Sequence, residues 1–282
     1  MASRVKAARE YTQAVMTQDE LKQLQQIQTG ILEEFDRVCR KHDIKYVLAS
    51  GTLIGAVRYK GFIPWDDDVD VEMLRSDYEK FKNISKQELS GNFFFQDHTT
   101  DKGYPWLYGK LRQNGTLAVR LGQEHFKMHH GVCIDIFPRD GVPNGKTAHS
   151  LHKKITKIIR KILYARQARV SAETKTARFG WSLVCIIPKT IAYVTAGLLR
   201  KLNPTDKRNK VRCIGYHGTF EDTGYNKEWF TDLTEMEFEG KQYLVPADWN
   251  GYLTHIYGED YMTPPPEDKR AISAPLSSYE LV

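Results

Sequence analysis

The chain has 282 residues, 41% hydrophobic and 27% charged, with a net charge of +6. That balance is the one of an ordinary globular protein with a full hydrophobic core, arranged as one large domain or two small ones, and it excludes a low-complexity chain. The opening MASRVKAAREYTQ has no apolar stretch of signal-peptide length, and no run of eighteen apolar residues follows. Cys39, Cys133, Cys185 and Cys213 show neither CxxC spacing nor a disulfide framework, so the expectation is a reduced, cytoplasmic protein.

In chain order, Thr17 and Glu20 form a capping box ahead of Leu21, Leu24, Ile27, Ile31, Phe35 and Val38, which predicts one amphipathic helix over 18–42. It suits packing across a sheet; a coiled-coil dimer would need more register than three turns supply. A strand is expected at 46–50, a short helix at 52–58, a strand at 68–73, a helix at 76–88 and a strand at 92–96. In LYGKLRQNGTLAVRL the Asn114-Gly115 dipeptide predicts a hairpin with a type I′ turn. Residues 131–137 predict a strand ending at Pro138, and helix is expected from there to about 215. A hairpin of 235–238 with 243–245 around Glu239-Gly240, a helix over 247–257 and a loose tail complete the reading. With no internal repeats and no low-complexity linker, the chain reads as a single α/β (α+β) catalytic domain. Its core is 17–145, followed by a basic helical segment at 146–215 and a C-terminal part at 216–282.

The densest chemical signal lies at 49–73, ASGTLIGAVRYKGFIPWDDDVDVEM. A strand sends alternate residues to one face, so Asp68 and Asp70 share a side while Val69 and Val71 face the other. Two adjacent carboxylates suit a hard divalent cation, Mg²⁺ or Mn²⁺, whose remaining ligands are phosphate oxygens and water. A solvated acidic loop is the alternative, but the valine alternation and the apolar strand upstream favour a half-buried platform. Phosphoryl or nucleotidyl transfer is the chemistry this suggests.

Together with GVCIDIFPRDGV at 131–142, this segment resembles the LicD family of the nucleotidyltransferase-fold superfamily. The resemblance is firm over roughly 45–142. It implies a nucleotidyltransferase-like mixed sheet flanked by helices, and enzymes that move phosphocholine from CDP-choline to a glycan hydroxyl. Fukutin-related sugar-alcohol phosphate transferases are more distant relatives. The superfamily pattern of a Gly/Ser turn, an Asp-x-Asp pair and a third carboxylate on a neighbouring strand falls here on Ser50 and Gly51, on Asp68 and Asp70, and on Asp135.

Asp135 sits amid apolar neighbours in VCIDIF, where a charge is costly unless it meets a metal or an arginine; Arg139 is the alternative partner. If two metals bind, Asp135 becomes a candidate general base for the acceptor hydroxyl. Ser50, Gly51 and Thr52 would hold phosphate at a helix N-terminus, although Gly51 has the alternative of serving the turn alone. Arg58 with Lys60, and Lys110 with Arg112, are candidate cations for a diphosphate. Asp66 and Asp67 are accessory carboxylates. Trp65, Tyr104, Trp106 and Tyr108 are candidates for a choline cage, with burial in a strand as the alternative. His125, His129 and His130 do not complete a zinc site, and His130 remains a candidate for phosphate contact or proton transfer.

Charge is uneven: 151–210 holds fifteen Lys/Arg against Glu173 and Asp206. A core-packing helical hairpin with a solvated basic face, a membrane-surface element and nucleic-acid binding compete for this segment. Nucleic acid is the least supported, because none of its sequence motifs is present. The function expected is Mg²⁺-dependent transfer of an alcohol phosphate from CDP-choline or a related CDP-alcohol to a cell-surface glycan precursor, free or lipid-linked, in the cytoplasm or at the inner face of the membrane. A nucleotidyltransferase using NTP and a non-catalytic binding module are the rivals.

Overall fold

A computed structural model describes residues 14–216, 224–267, 270 and 275–281. The N-terminal 1–13, on which the absence of a leader was read, and parts of the expected loose tail lie outside the described residues.

Helix α1 (Gln18–Lys41) starts at the expected capping box: the Thr17 hydroxyl accepts from the Glu20 N–H, and the Glu20 carboxylate accepts from the Thr17 N–H. Its apolar stripe of Leu24, Ile31, Phe35 and Val38 is buried in the main core, so the face a coiled coil would use is occupied by the sheet. Strand β1 (Val47–Leu48) leads into α2 (Ser50–Tyr59), followed by β2 (Asp70–Leu74), α3 (Arg75–Glu88) and β3 (Phe93–Gln96). Next come β4 (Gly109–Gln113), β5 (Leu117–Arg120) and β6 (Cys133–Gly141). The central sheet has the order β1-β2-β6-β4-β3, with β2 and β6 parallel and the other pairs antiparallel. The fold is therefore a mixed sheet flanked by helices, as expected.

The hairpin expected at Asn114-Gly115 does not form. Both edges of β4 are taken by β3 and β6, which leaves β5 no place beside it. Only Gly115 takes a positive φ, whereas a type I′ turn requires two. Strand β5 instead pairs with the C-terminal strand β11 (Leu276–Glu280), so part of the expected loose tail is ordered in a sheet. Strand β6 also runs through Pro138. Its pairing with β4 stops at Ile136 and its pairing with β7 (Lys210–Arg212) begins at Asp140, so Pro138 falls where one edge needs no N–H donor.

Helices α4 (Lys146–Val170), α5 (Lys175–Val184) and α6 (Lys189–Leu202) follow, but the helical run ends before β7 rather than at 215. Strand β8 (Tyr225–Asn226) pairs with β7. The hairpin of β9 (Leu233–Phe238) and β10 (Lys241–Pro246) forms as expected, with Glu239 and Gly240 both at positive φ. Helix α7 (Trp249–Tyr257), capped by the Asp248 side chain, comes last.

Candidate active site

The expected acidic strand lies where the chemistry requires it. Val69 and Val71 are buried in the core, and Asp68, Asp70 and Glu72 all turn toward a cavity of about 460 Å³. Asp70 stands opposite Asp135 in the register of the parallel pair β2 and β6, and the Asp135 N–H donates to the Val69 carbonyl at 2.8 Å. Asp66, Asp135, Ser50 and Gly51 line the same cavity. One oxygen from each of Asp66, Asp67 and Asp68 lies within 4.8 Å of the others, the one such cluster found among the described residues.

The turn between β1 and α2 is built around this group. The Thr52 hydroxyl accepts from the Asp70 N–H at 2.9 Å, and the Ala49 N–H donates to the Asp70 carbonyl at 3.0 Å. Thr52 is thus a buried support for Asp70 rather than a cavity group. Ser50 takes φ 48°, a left-handed conformation uncommon outside glycine and a form of strain associated with sites. At Gly51 a Cβ would stand 3.0 Å from Asp66 Oδ2, so glycine here lets that carboxylate approach the helix N-terminus.

Electrostatics divide the carboxylates into two kinds. Burial and then the charges of neighbouring carboxylates raise the pKa of Asp68 and Asp70 well above the usual range. Burial also acts on Asp135, but Arg120 and Lys110 outweigh it and hold Asp135 below the ordinary value. Lys110 Nζ forms a very short ion pair with Asp135 Oδ1, and Arg120 reaches Oδ2 at 3.1 Å. Arg139, the alternative partner considered for Asp135, instead pairs with Glu72 and stacks 3.9 Å above the Tyr225 ring.

Several sequence candidates are placed elsewhere. Lys110 is fully buried beneath Asp135, and Arg112 donates to the Gln96 side chain and the Gly131 carbonyl, so neither faces the cavity. Arg58 and Lys60 sit at the opposite end of α2, about 10 Å or more along the helix from Ser50, and Lys60 pairs with Glu237 at 3.2 Å. Of the candidate cage, only Tyr108 lines the cavity. Tyr104 and Trp106 are core residues packed on Phe126, and Trp65 lies under Arg270 at 4.5 Å. His130 Nε2 is hydrogen-bonded to the Phe126 carbonyl and stands outside the cavity. Asp67 is buried beside Gln28, which donates to its carbonyl.

The cavity also holds residues that sequence reasoning passed over. Glu72 continued the alternation of Asp68 and Asp70 by one more step. Arg120, between Val119 and Leu121, carried the same mark as Asp135, a charge amid apolar neighbours. Tyr164 and Gln167 from α4, Tyr216, and Tyr257 at the end of α7 complete the wall. No local pattern marks these, because they arrive from segments far apart in the chain.

All carboxylate oxygens here are hard donors, and burial first, then the charges of neighbouring carboxylates, disfavours ionisation of Asp68 and Asp70 in the protein alone, an imbalance that a cation would relieve. A divalent cation held by Asp68 and Asp70 with Asp66 fits that imbalance. Asp135 already has two cationic partners and fits the role less fully.

The family described as LicD/FKTN/FKRP, nucleotidyltransferase domain, matches residues 43–169. The lipopolysaccharide cholinephosphotransferase LicD of Haemophilus influenzae is 29% identical over 256 residues, covering 88% of this chain and 93% of that protein. An uncharacterised protein of Rickettsia typhi is 40% identical over 57 residues, 20% of this chain and 18% of its own length. The matched stretch takes in β1, α2, β2 and β6 together with Ser50, Gly51, Asp68, Asp70 and Asp135, so this part of the chain is similar to the nucleotidyltransferase domain of the LicD family.

Proposed function

We propose that this cavity binds CDP-choline with Mg²⁺ and transfers phosphocholine to a sugar hydroxyl of a cell-surface glycan precursor, releasing CMP. The chain is a phosphotransferase, and the likeness to a cholinephosphotransferase over nearly its whole length supports choline phosphate as the group moved and a lipopolysaccharide-type glycan as the acceptor class. The observation that carries the reading is the in-register placement of Asp70 beside Asp135 within the cavity, next to a strained Ser50-Gly51 turn.

Asp68 and Asp70, with Asp66, would hold the cation. When bound, it would neutralise the diphosphate and polarise the phosphorus being transferred. The N-terminus of α2, with no side-chain cap, would offer the Gly51 backbone N–H to phosphate oxygens, while the Ser50 N–H donates to the Tyr252 hydroxyl at 3.4 Å. Arg120 would supply a fixed positive charge as the CMP phosphate departs.

The acceptor oxygen attacks the phosphorus bearing choline, the bond from that phosphorus to the bridging oxygen breaks, and CMP leaves with the bridging oxygen. The acceptor proton passes to a carboxylate or to water. Asp135 is held ionised by Lys110 and Arg120 and is therefore a weak base, better suited to orienting the hydroxyl than to removing its proton.

For the quaternary ammonium, the ring set that faces the cavity replaces the one expected from sequence. Tyr108, Phe137 and Tyr216 pack with centroids 4.8–6.1 Å apart and form an aromatic wall in place of Trp65, Tyr104 and Trp106. A reduced interior location at the membrane face fits four free cysteines and a nucleotide-activated donor.

The test is incubation with CDP-choline, Mg²⁺ and lipooligosaccharide, following CMP by chromatography and the glycan by mass spectrometry. Stoichiometric CMP and phosphocholine-bearing glycan are expected, both abolished by EDTA. Pyrophosphate release from ATP or CTP, with CDP-choline untouched, would overturn the reading.

A further inference from the structure

Helices α5 and α6 break the usual distribution of apolar residues. No residue of α5 is buried, yet its face carries Phe179 at 67% exposure and Leu183, and the turn after it carries Ile186 at 75%. Helix α6 has two apolar faces. Ala192, Ala196 and Leu199 pack against Ile159, Ile162 and Leu163 of α4, whereas Ile191, Val194, Leu198 and Leu202 recur at helical spacing on the opposite side and are open to solvent. Rows of exposed large apolar side chains of this kind mark an interaction surface.

The charge pattern identifies what covers it. From 174 to 205 there are five Lys/Arg and no carboxylate, and Lys175, Arg178 and Lys201 are exposed beside the apolar rows. Two copies meeting through this face would bring like charges together, whereas an anionic lipid surface offers both the apolar depth and the opposite sign. Neither helix is long enough to cross: at 10 and 14 residues they span about 15 and 21 Å, against a hydrocarbon core of about 30 Å. They also meet at 64°, with Pro188 at the break. Among the described residues no single helix is long and apolar enough to span.

We propose that the α5–α6 hairpin is a docking surface that lies in the headgroup region of an anionic bilayer. It brings the catalytic cavity with it, because α4, which supports the hairpin, also contributes Tyr164 and Gln167 to the cavity wall. A lipid-linked acceptor would then be presented beside the carboxylates. The docking rests on the hairpin alone and not on the identity of the donor.

The test is flotation of the full chain with phosphatidylcholine vesicles and with vesicles containing 30% phosphatidylglycerol, chosen as a probe of about the anionic content of a biological leaflet. Recovery with the anionic vesicles only, reduced at least tenfold by 0.5 M salt or by Ile186→Asp/Leu198→Asp, is expected. Circular dichroism and CMP release with a soluble glycan acceptor should be unchanged in that variant. Retention of wild type in the lipid-free fraction, or vesicle binding indifferent to the substitutions, would overturn the proposal. So would a dimer in light scattering that those substitutions dissolve without any vesicle binding, which would assign the face to a second copy. Resistance of the bound protein to salt and carbonate extraction would show insertion in place of surface docking. Loss of vesicle binding with donor chemistry intact separates failure of this proposal from failure of the phosphotransferase reading.

Discussion

The cavity and the α5–α6 hairpin depart from ordinary burial in opposite directions. Around the cavity, charged groups are withdrawn from water: Asp66, Asp135, Glu72, Arg139 and Lys110 are all buried. On the hairpin, large apolar groups are left in it. Each departure costs free energy in the isolated protein, and each would be relieved by the ligand proposed for it, a cation with phosphate in the first case and a lipid surface in the second. Where a fold spends stability without a structural return, function is the economical explanation.

The comparison breaks most severely at Lys110. It is fully buried and pairs with Asp135 from beneath, so Lys110→Met should lower unfolding free energy by about 3–5 kcal/mol, measured by urea denaturation. A loss under 1 kcal/mol would mean that Arg120 alone suffices. Asp70→Asn should act in the contrary sense. Turnover of CDP-choline should fall by about 10²–10³, while melting temperature in EDTA rises because one of several neighbouring like charges has been removed. Coincident loss of activity and stability would contradict the placement of Asp70 as a ligand.

Adjacent leucines on α6 sharpen the second half of the comparison. Leu199, 8% exposed, should cost about 2–4 kcal/mol on truncation to Ala. Leu198, 54% exposed, should cost no more than about 0.5 kcal/mol, since it is largely open to solvent among the described residues.

The seam joining the two regions should be sensitive to acid. His98 stacks on Tyr193 of α6 at 4.5 Å, and His152 is buried on α4 with neither ring nitrogen hydrogen-bonded among the described residues. Burial pushes both from 6.5 down to about 4. The unfolded chain therefore binds protons that the folded histidines refuse, and stability present above pH 6.5 is lost as pH falls toward 4. His152→Asn should flatten that slope by on the order of 1–2 kcal/mol between pH 7 and 5, read by denaturation at each pH.

Legibility followed the range of the forces involved. Helix α1 and the β9–β10 hairpin were readable because a capping box and a two-residue turn are local geometry. The Asp68/Asp70 face was readable because strand alternation is also local. The β4–β5 hairpin failed because a competing strand, β6, claims the same edge from twenty residues further on. The aromatic wall failed for the same reason: Tyr104 and Trp106 sit on an alternation that suggests a strand, but they lie in the irregular segment before β4 and are buried in an aromatic cluster with Phe126, and Tyr216 and Tyr257 arrive from segments no window could join. Lys110 and Arg112 read as candidate cations for a diphosphate, but sequence alone could not show that their partners are Asp135 and Gln96 rather than a phosphate.

The central claim is that Asp68 and Asp70 recruit a cation to bind a CDP-alcohol. Calorimetry with Mg²⁺, comparing CDP-choline with CDP-ribitol, CMP and ATP on the wild type and on Asp68→Asn/Asp70→Asn, tests it most directly. Selective CDP-choline binding that requires Mg²⁺ and disappears in the double variant is the predicted result; equal binding of ATP, or CDP-choline binding indifferent to both carboxylates, would contradict it.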